Sequence, residues 1–365
     1  METNQKRLIV FMPSMEGGGV EKNLIILVNF LSNKLQNLNL VSFDEVFKKK
    51  ISKKVIFKSF SKKPLNLNKY FKYIICLALL IKEIIFEDVV VVSFQANIYC
   101  LIICKILNKK IIVRSNSSPK GWSKNLLKNY IYSYFIKKSD EVIVNSSDFK
   151  KQMKKKFNIN PKLIYNPLNI AEIQSKAKEK INKKFYKKKF LNIINVGRLT
   201  DQKNQITLLR AIKKIPNSIK LNLLIIGYGK YEKHLNDFIK NNQLEKRTNI
   251  IKELDNPFKF ISKFDLFVLT SKYEGLPNVL LESLALKTPI ISTDCPTGPK
   301  EILKNGKLGT LFRVNDYIAL SKLILKYYKN KNFFLKKADM GIKNLEKYDY
   351  NKNCMKYYTI IKNLN

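Results

Sequence analysis

The chain has 365 residues, which is long for a single hydrophobic core, so we expect two domains. It is strongly basic: 69 Lys and Arg against 28 Asp and Glu give a net charge of +41, which suits a nucleic acid, an acidic membrane or a phosphorylated ligand. The longest uncharged run, 89–104, falls short of the roughly 20 residues that span a bilayer, so the sequence predicts no transmembrane segment.

Cysteine and histidine usage argues against several chemistries. The spacings of the five cysteines match no zinc or disulfide framework and their number is odd, so we expect a reduced, cytoplasmic protein. The N-terminus runs into an apolar strand without the features of a signal peptide. His234 is the only histidine, which excludes a histidine-based catalytic triad and argues against a zinc site.

Apolar strand-like runs alternate with helix-like segments through the first half of the chain. Several of these runs are continuously apolar, as expected of parallel strands that are covered on both faces. Strands are predicted at residues 8–12, 38–43, 55–60, 89–93, 111–114, 141–145 and 163–165, and helices at 20–34, 70–86 and 124–139.

A second series of strands and helices follows a break at Asn166-Pro167. Residues 171–189 are polar and rich in lysine, which indicates a linker or a solvated helix, and we place the linker at 168–189. Two such series predict an α/β fold with two doubly wound, Rossmann-like parallel-sheet domains, at residues 1–167 and 190–346, and a helical pattern ends the chain over 347–365. The second series has predicted strands at residues 190–196, 221–226, 248–251, 266–270, 290–293 and 309–312.

Glycines follow the first strand, where ligands of parallel sheets bind. Gly17, Gly18 and Gly19 precede a predicted helix and would let the backbone come close to a phosphate or a sugar. A flexible turn between strand and helix would explain them equally simply. The run is neither a dinucleotide fingerprint nor an ATP-binding P-loop.

Two basic residues follow the first strand of the second series. Arg198 and Lys203 lie five positions apart at the start of a predicted helix, where they would form a cationic cup for a diphosphate. Arginine is much scarcer here than lysine, so Arg198 is the more informative of the two. After the next strand, Gly227 and Gly229 would allow close approach by a nucleotide base or ribose.

Two carboxylates flank the loop that follows the apolar run 264–270. Glu274 lies in a glycine-containing loop, and Glu282 lies about one turn inside the next predicted helix. Free amides at a helix N-terminus suit a phosphate, and carboxylates can accept hydrogen bonds from sugar hydroxyls. Together they describe a nucleotide-sugar site, although an acidic first helical turn needs no ligand.

This Glu-x7-Glu run, continued through 286–294, closely resembles the signature of the retaining glycosyltransferases of family 4. Residues 195–205 resemble the family's Gly-Arg-Leu-x-x-x-Lys motif, and residues 13–21 resemble its first glycine-rich loop. The resemblance implies a GT-B fold, in which two Rossmann-like domains face a cleft. An acceptor-side N-terminal domain would precede a nucleotide-sugar-binding domain, and the terminal helix would return to the first domain.

The resemblance also implies roles for individual residues. Arg198 and Lys203 would hold the pyrophosphate and act in catalysis with Glu274, which would hold sugar hydroxyls, while Glu282 would hold the ribose. No metal or other cofactor is expected, because the two cations can neutralise the diphosphate. The implied donor-binding residues are Gly17, Gly18, Gly19, Arg198, Lys203, Gly227, Gly229, Glu274, Gly275, Leu276, Asn278, Val279 and Glu282.

The sequence departs from the family pattern in one respect. Many members carry a histidine near the transferred sugar, whereas the corresponding area here, 114–119, has none. In the implied retaining reaction the acceptor attacks from the leaving-group side, so a diphosphate oxygen could take its proton instead. Cys295 is expected to be a small filler residue rather than a nucleophile.

Lysine clusters at 48–54, 61–63 and 150–157 are interleaved with apolar residues, which suits docking on an anionic leaflet. We therefore expect a peripheral protein of the bacterial inner membrane, on its cytoplasmic face, with a lipid-linked oligosaccharide, lipopolysaccharide core or other surface glycan as acceptor. A solvated basic surface is the simpler alternative. A nucleotide-sugar epimerase shares the architecture, and a nucleic-acid-binding protein would explain the charge, although no nucleic-acid-binding motif is visible.

Overall fold

The computed structural model describes residues 6–65, 67–116, 126–252 and 256–364, and the chain divides into two compact units. The first unit comprises Met1–Pro167 and Tyr350–Asn365, and the second comprises Leu168–Asp349. No helix among the described residues is long and apolar enough to cross a membrane.

The first unit is built on a seven-stranded, fully parallel sheet with the strand order β3-β2-β1-β4-β5-β6-β7. Its central strands are valine- and isoleucine-rich and buried on both faces, as the continuous apolar runs predict. The strands are β1 (Arg7–Phe11), β2 (Leu38–Asp44), β3 (Ile56–Ser61), β4 (Val89–Ser93), β5 (Lys110–Ser115), β6 (Glu141–Val144) and β7 (Lys162–Leu163).

Helices cover both faces of this sheet and complete two hydrophobic cores. The predicted helix at 124–139 is observed from residue 126, since residues 124 and 125 lie outside the described part of the chain. The helices before the second unit are α1 (Gly19–Leu31), α2 (Lys69–Ile84), α3 (Asn97–Ile106), α4 (Leu126–Ile136) and α5 (Ser147–Phe157).

The second unit has a six-stranded parallel sheet with the order β10-β9-β8-β11-β12-β13. Its strands are β8 (Leu191–Val196), β9 (Leu221–Ile226), β10 (Thr248–Ile251), β11 (Leu266–Leu269), β12 (Ile290–Thr293) and β13 (Thr310–Phe312). Its helices are α6 (Ile170–Ala177), α7 (Gln205–Lys213), α8 (Glu232–Asn241), α9 (Phe258–Ile261), α10 (Asn278–Ala285), α11 (Pro299–Ile302), α12 (Tyr317–Lys329) and α13 (Lys331–Ile342).

The structure places residues 168–189, the predicted linker, in the second unit, and the first part of the segment is a helix, which was the alternative prediction. Its helix α6 buries Ile173 and Ala177 and packs against α9. Asn256 Nδ2 donates to the carbonyl oxygen of Lys176 over 2.7 Å. Lys176 and Lys178 are exposed, so a short amphipathic helix lies inside the lysine-rich stretch.

The last helix, α14 (Tyr350–Leu364), belongs to the first unit, although it follows the second in sequence. Cys354, Tyr357 and Ile361 are buried in the same core as the helix α1. The helix begins at residue 350 rather than 347, because a short 3-10 turn of the second unit occupies 346–348.

In both sheets the strand order reverses beside the first strand. In the second unit β8 lies between β9 and β11, so the loops after β8 and β11 leave the sheet side by side. In open α/β sheets, the carboxyl ends of strands at such a reversal are where ligands bind. The fold therefore brings residues from two distant parts of the sequence to one edge of the second unit.

Candidate functional site

The loop after β8 continues to pair with the loop after β9. Gly197 N donates to Ile226 O over 2.9 Å, and Leu199 N donates to Tyr228 O over 2.8 Å. The two backbones therefore run in contact beyond the ends of their strands.

This contact explains the glycines that follow β9. A Cβ atom at Gly227 would lie 2.0 Å from the carbonyl oxygen of Gly197, and one at Gly229 would lie 2.4 Å from that of Leu199. Packing between the two loops thus accounts for both glycines without a ligand. Their suggested role in admitting a ribose or a base stays a prediction.

The centre of the candidate site is an ion pair between residues 71 positions apart. Lys203 Nζ lies 2.6 Å from Glu274 Oε1, and Ser271 Oγ donates to the same oxygen over 2.6 Å. The Glu274 side chain is only 7% exposed, and that of Lys203 17%. In the described part of the chain no residue bonds to Glu274 Oε2, so this second oxygen is available to a ligand.

Further hydrogen bonds join the two loops that carry the ion pair. Gln202 Nε2 donates to Tyr273 O over 2.9 Å, Thr270 Oγ1 donates to Lys203 O over 3.0 Å, and Asn204 Nδ2 donates to Thr270 O over 3.3 Å. The relative position of Lys203 and Glu274 is therefore held by the backbone as well as by their charges.

A third loop, which follows β12, supports the loop that contains Glu274. Thr297 Oγ1 donates to the backbone oxygen of Glu274. Gly298 has φ +77°, and a Cβ there would lie 2.4 Å from Gly275 O, so a glycine is required by both conformation and contact. Cys295 is buried beside them, and burial raises the pKa of its thiol to about 12. It is therefore inert at neutral pH, in agreement with its expected filler role.

Glu282 lies on α10, which begins directly after Pro277. Its side chain belongs to a buried stretch that includes Leu281 and Leu284, while Asn278 and Val279 on the first turn are partly exposed. Pro277 is the N-cap residue of α10, and its side chain has no group that could accept a hydrogen bond from the first backbone amides of the helix. Gly275 and Leu276 complete the turn between the two carboxylates.

Arg198 is partly exposed on the same loop as Lys203, and its backbone oxygen accepts a bond from Gln205 Nε2 over 3.1 Å. Three buried oxygens of this segment lack a donor among the described residues: Asn195 Oδ1, Thr200 Oγ1 and Gln205 Oε1. Buried oxygens of this kind usually meet a ligand or ordered water. The structure thus places Arg198, Lys203 and Glu274 on adjoining loops of the second unit, with Glu282 on the helix that follows the Glu274 loop.

The predicted glycine loop lies in the first unit, at the carboxyl end of β1. Gly17 has φ +74°, which favours glycine, and Gly18 and Gly19 lead into α1. The loop is held by the buried carboxylate of Glu21, which accepts a bond from the backbone nitrogen of Glu16 over 3.1 Å. These contacts are structural, so the donor-binding role of the three glycines stays a prediction.

Sequence reasoning missed a buried arginine at the carboxyl end of β5. Arg114 donates to Tyr357 Oη over 2.7 Å, to Asn166 Oδ1 over 2.8 Å and to Asn116, and it stacks on the ring of Phe94. None of these partners is a carboxylate. The sequence contained one indication of this cluster: an asparagine follows each of three successive strands, at positions 116, 145 and 166.

Ser271 and Thr297 were also missed as supports of Glu274. A serine or threonine next to a strand end is common, and its donor role appears only once the loops are brought together. Residues 117–119 of the area that lacks a histidine lie outside the described residues. His234 is exposed on α8, and the described residues contain no cluster of three or more His, Cys, Asp or Glu that could hold a metal ion.

Comparison with known proteins finds a family match in the second unit. Residues 176–348 match the family described as "Glycosyl transferases group 1". Over these residues the second unit is similar to a group 1 glycosyltransferase domain. It contains Arg198, Lys203, Glu274 and Glu282, so the whole candidate site of the second unit lies inside the matched region.

Curated relatives agree with this assignment. An uncharacterized glycosyltransferase of Methanocaldococcus jannaschii is 35% identical over 210 residues, which cover 54% of this chain and 51% of the relative. A second relative is the N-acetylgalactosamine-N,N'-diacetylbacillosaminyl-diphospho-undecaprenol 4-alpha-N-acetylgalactosaminyltransferase of Campylobacter jejuni, which is 26% identical. The alignment covers 96% of this chain and 99% of the relative. The chain thus spans about half of the first relative and nearly all of the second.

A solved structure extends the likeness to both units. Anabaena HepE in complex with UDP-glucose has a TM-score of 0.83 and 16% identity, covering 98% of this chain and all of that one. At this identity the likeness shows the fold, and it confirms the predicted two-domain α/β architecture of the GT-B type. The family match and the named relatives support the predicted transferase.

Proposed function

We propose that the protein is a retaining glycosyltransferase of family 4 that moves a hexose or N-acetylhexosamine from a UDP-sugar to a lipid-linked oligosaccharide or another cell-surface glycan. The observation that carries the proposal is the ion pair between Lys203 and Glu274, held beside Arg198 in the region that matches the group 1 family. The site offers cations for a diphosphate and a carboxylate oxygen for a sugar.

Glycosyl transfer develops positive charge at the anomeric carbon and negative charge on the departing diphosphate. Cations that are positioned before the reaction stabilise such a leaving group most effectively, because they need no reorganisation when the bond breaks. Lys203 is fixed by Glu274 and Arg198 lies on the same loop. In the proposed reaction, Glu274 Oε2 accepts a hydrogen bond from a sugar hydroxyl, and Glu282 accepts from the ribose.

Two kinds of similarity support the substrate classes. The named Campylobacter relative, by its name, acts on a diphospho-undecaprenol-linked sugar, and it aligns over almost the whole chain. HepE, which shares the fold, was solved with UDP-glucose. We therefore assign the protein to bacterial surface polysaccharide or lipopolysaccharide biosynthesis, with a nucleotide-sugar and a glycan acceptor as its substrates rather than a nucleic acid.

We propose further that transfer needs no metal ion, because Arg198 and Lys203 supply the positive charge at the diphosphate. Activity should then persist in EDTA. Complete loss of activity in EDTA, with recovery on adding Mn²⁺ or Mg²⁺, would show that the two cations are insufficient.

The proposed location is the cytoplasmic face of the inner membrane, where a lipid-linked acceptor would be reached. The clusters Lys48–Lys50 and Lys154–Lys156 lie in the first unit and would be attracted to an anionic leaflet. Each basic side chain near such a surface contributes about 1 kcal/mol, and the attraction is screened by salt.

A screen of NDP-sugars for enzyme-dependent nucleotide release tests the activity. We expect release with at least one UDP-sugar, and loss of release in Lys203→Ala. Lys272→Ala is the matched control, because Lys272 lies in the neighbouring loop but pairs with the exposed Asp201. Release that survives Lys203→Ala, or that is lost equally in both variants, would contradict the proposed site.

A further inference from the structure

The outward face of the helix α2 is apolar. Phe71 is 61% exposed and Ile74 is 64% exposed, and Ile81 and Ile85 follow on the same side at 37% and 40%. Ile85 directly follows the last residue of the helix and keeps a helical conformation, so the spacings of three, seven and four residues place all four side chains on one face. We call these four residues the α2 stripe.

The fold of the unit does not need this stripe. The opposite face of α2 buries Cys76, Leu80 and Ile84 in the core, and the helix packs against β2 and β3. The helix is therefore anchored by one apolar face and presents a second one outward. A surface helix normally carries polar residues there, so an exposed apolar face of this size indicates an interaction surface.

Neighbouring elements extend the apolar surface. Phe86, just beyond the helix, is 93% exposed, and Tyr70 at its start is also exposed. The edge strand β3, which packs beside α2, exposes Ile56 and Phe60. Exposed apolar side chains are therefore also present at both ends of the helix and on the strand packed beside it.

The charges around the stripe indicate which partner fits it. Lys69, Lys72 and Lys82 lie on α2 itself, and the helix contains a single acid, Glu83. That carboxylate is already neutralised, because it lies 3.0 Å from Lys58 Nζ and 3.8 Å from an Arg7 nitrogen. Beyond the helix, Glu87 and Asp88 are exposed, and Asp88 pairs with Lys6 over 3.2 Å. Along the helix itself the charge is positive, so a second copy packed on the stripe would bring lysine against lysine.

We propose that α2 lies in the plane of an anionic bilayer surface, with the α2 stripe among the acyl chains and its lysines at the headgroups. A helix of 16 residues is about 24 Å long, too short to span a bilayer but long enough to lie along its surface. Aromatic and aliphatic residues beside lysine are typical of helices that bind this way. The inference deepens the membrane part of the proposed function by adding insertion to electrostatic attraction.

Co-sedimentation with phosphatidylcholine vesicles, with and without phosphatidylglycerol, tests the insertion. We expect Phe71→Ser/Ile74→Ser to lower partitioning onto the anionic vesicles at least about tenfold, because burial of such side chains is lost. Both side chains are mostly exposed, so the variant should fold. The control Phe333→Ser/Leu335→Ser removes two exposed apolar residues of the second unit and should bind like the wild type.

Depth can be measured separately. Phe71→Trp, in a Trp122→Phe background that removes the chain's only other tryptophan, should be quenched by lipids with brominated acyl chains. Phe333→Trp in the same background should not be quenched. Absence of quenching at position 71, or wild-type binding of the serine variant, would overturn the proposal.

A second copy as the occupant would give a different pattern. The wild type would then be a dimer by analytical ultracentrifugation, Phe71→Ser/Ile74→Ser would be a monomer, and vesicle binding would not change, which would also overturn insertion. Nucleotide release in solution should be the same in this variant and the wild type. If no NDP-sugar is turned over while vesicle binding behaves as described, the proposed activity fails and the insertion stands.

Discussion

Glu274→Gln should separate the recognition of the sugar from that of the nucleotide. The substitution keeps the size and one oxygen of the side chain but removes its charge. In the structure Oε1 is occupied by Lys203 and Ser271, both at 2.6 Å, so Oε2 is the oxygen left for a sugar hydroxyl. We therefore expect weaker binding of the UDP-sugar and no loss of affinity for UDP.

The magnitudes follow from the two contacts. A hydrogen bond to a charged acceptor contributes about 1.5–3 kcal/mol and one to a neutral acceptor about 0.5–1.5 kcal/mol, so the UDP-sugar should bind about five- to tenfold more weakly. UDP should bind equally or several-fold more tightly, because Lys203 is no longer neutralised by Glu274. Lys203 is partly exposed, so the second unit should lose only about 1–3 kcal/mol of stability.

Isothermal titration of each variant with UDP and with the UDP-sugar measures this difference directly. Glu282→Gln is the control, because a residue that holds the ribose should weaken both ligands to the same extent. Equal losses for UDP and UDP-sugar in Glu274→Gln would refute the assignment of Glu274 to the sugar.

Three further outcomes are expected. Glu282→Ala should weaken UDP binding by about 1.5–3 kcal/mol in calorimetry, and unchanged affinity in a folded variant would exclude its ribose role. Gly227→Ala should lower the thermal unfolding midpoint of the second unit, because the new Cβ would lie 2.0 Å from Gly197 O and such overpacking costs about 1–3 kcal/mol or more. Gly197→Ala is the control: its nearest contact would be at 3.7 Å, so the midpoint should change little. The pKa of Cys295 is raised from 9.0 to about 12, so its contribution to the stability of the fold is complete below pH 9 and is lost as the pH rises towards 12. Iodoacetamide should therefore modify Cys295 at pH 8 only after unfolding. Rapid labelling of the native protein at this position would contradict the prediction.

The local pattern of the sequence was sufficient to predict the two sheets and the candidate loops. Continuous apolar runs predict buried parallel strands, because both faces of such a sheet are covered. The glycine and acidic residues after β11 identify a ligand loop, because the carboxyl ends of parallel strands share one edge. The segment with Arg198 and Lys203 was predicted on the same grounds.

Only the tertiary structure decided which of these residues meet. Lys203 and Glu274 are 71 positions apart, and their pairing depends on β8 and β11 being neighbours, which is a long-range property that local periodicity does not encode. The hydrogen bond from Ser271 to Glu274 also became apparent only in the structure. So did the requirement for glycine at position 227, which comes from the neighbouring backbone of Gly197. The exposed apolar face of α2 likewise becomes apparent only in the structure, because apolar residues occur on both faces of the helix and the sequence does not indicate which face is buried.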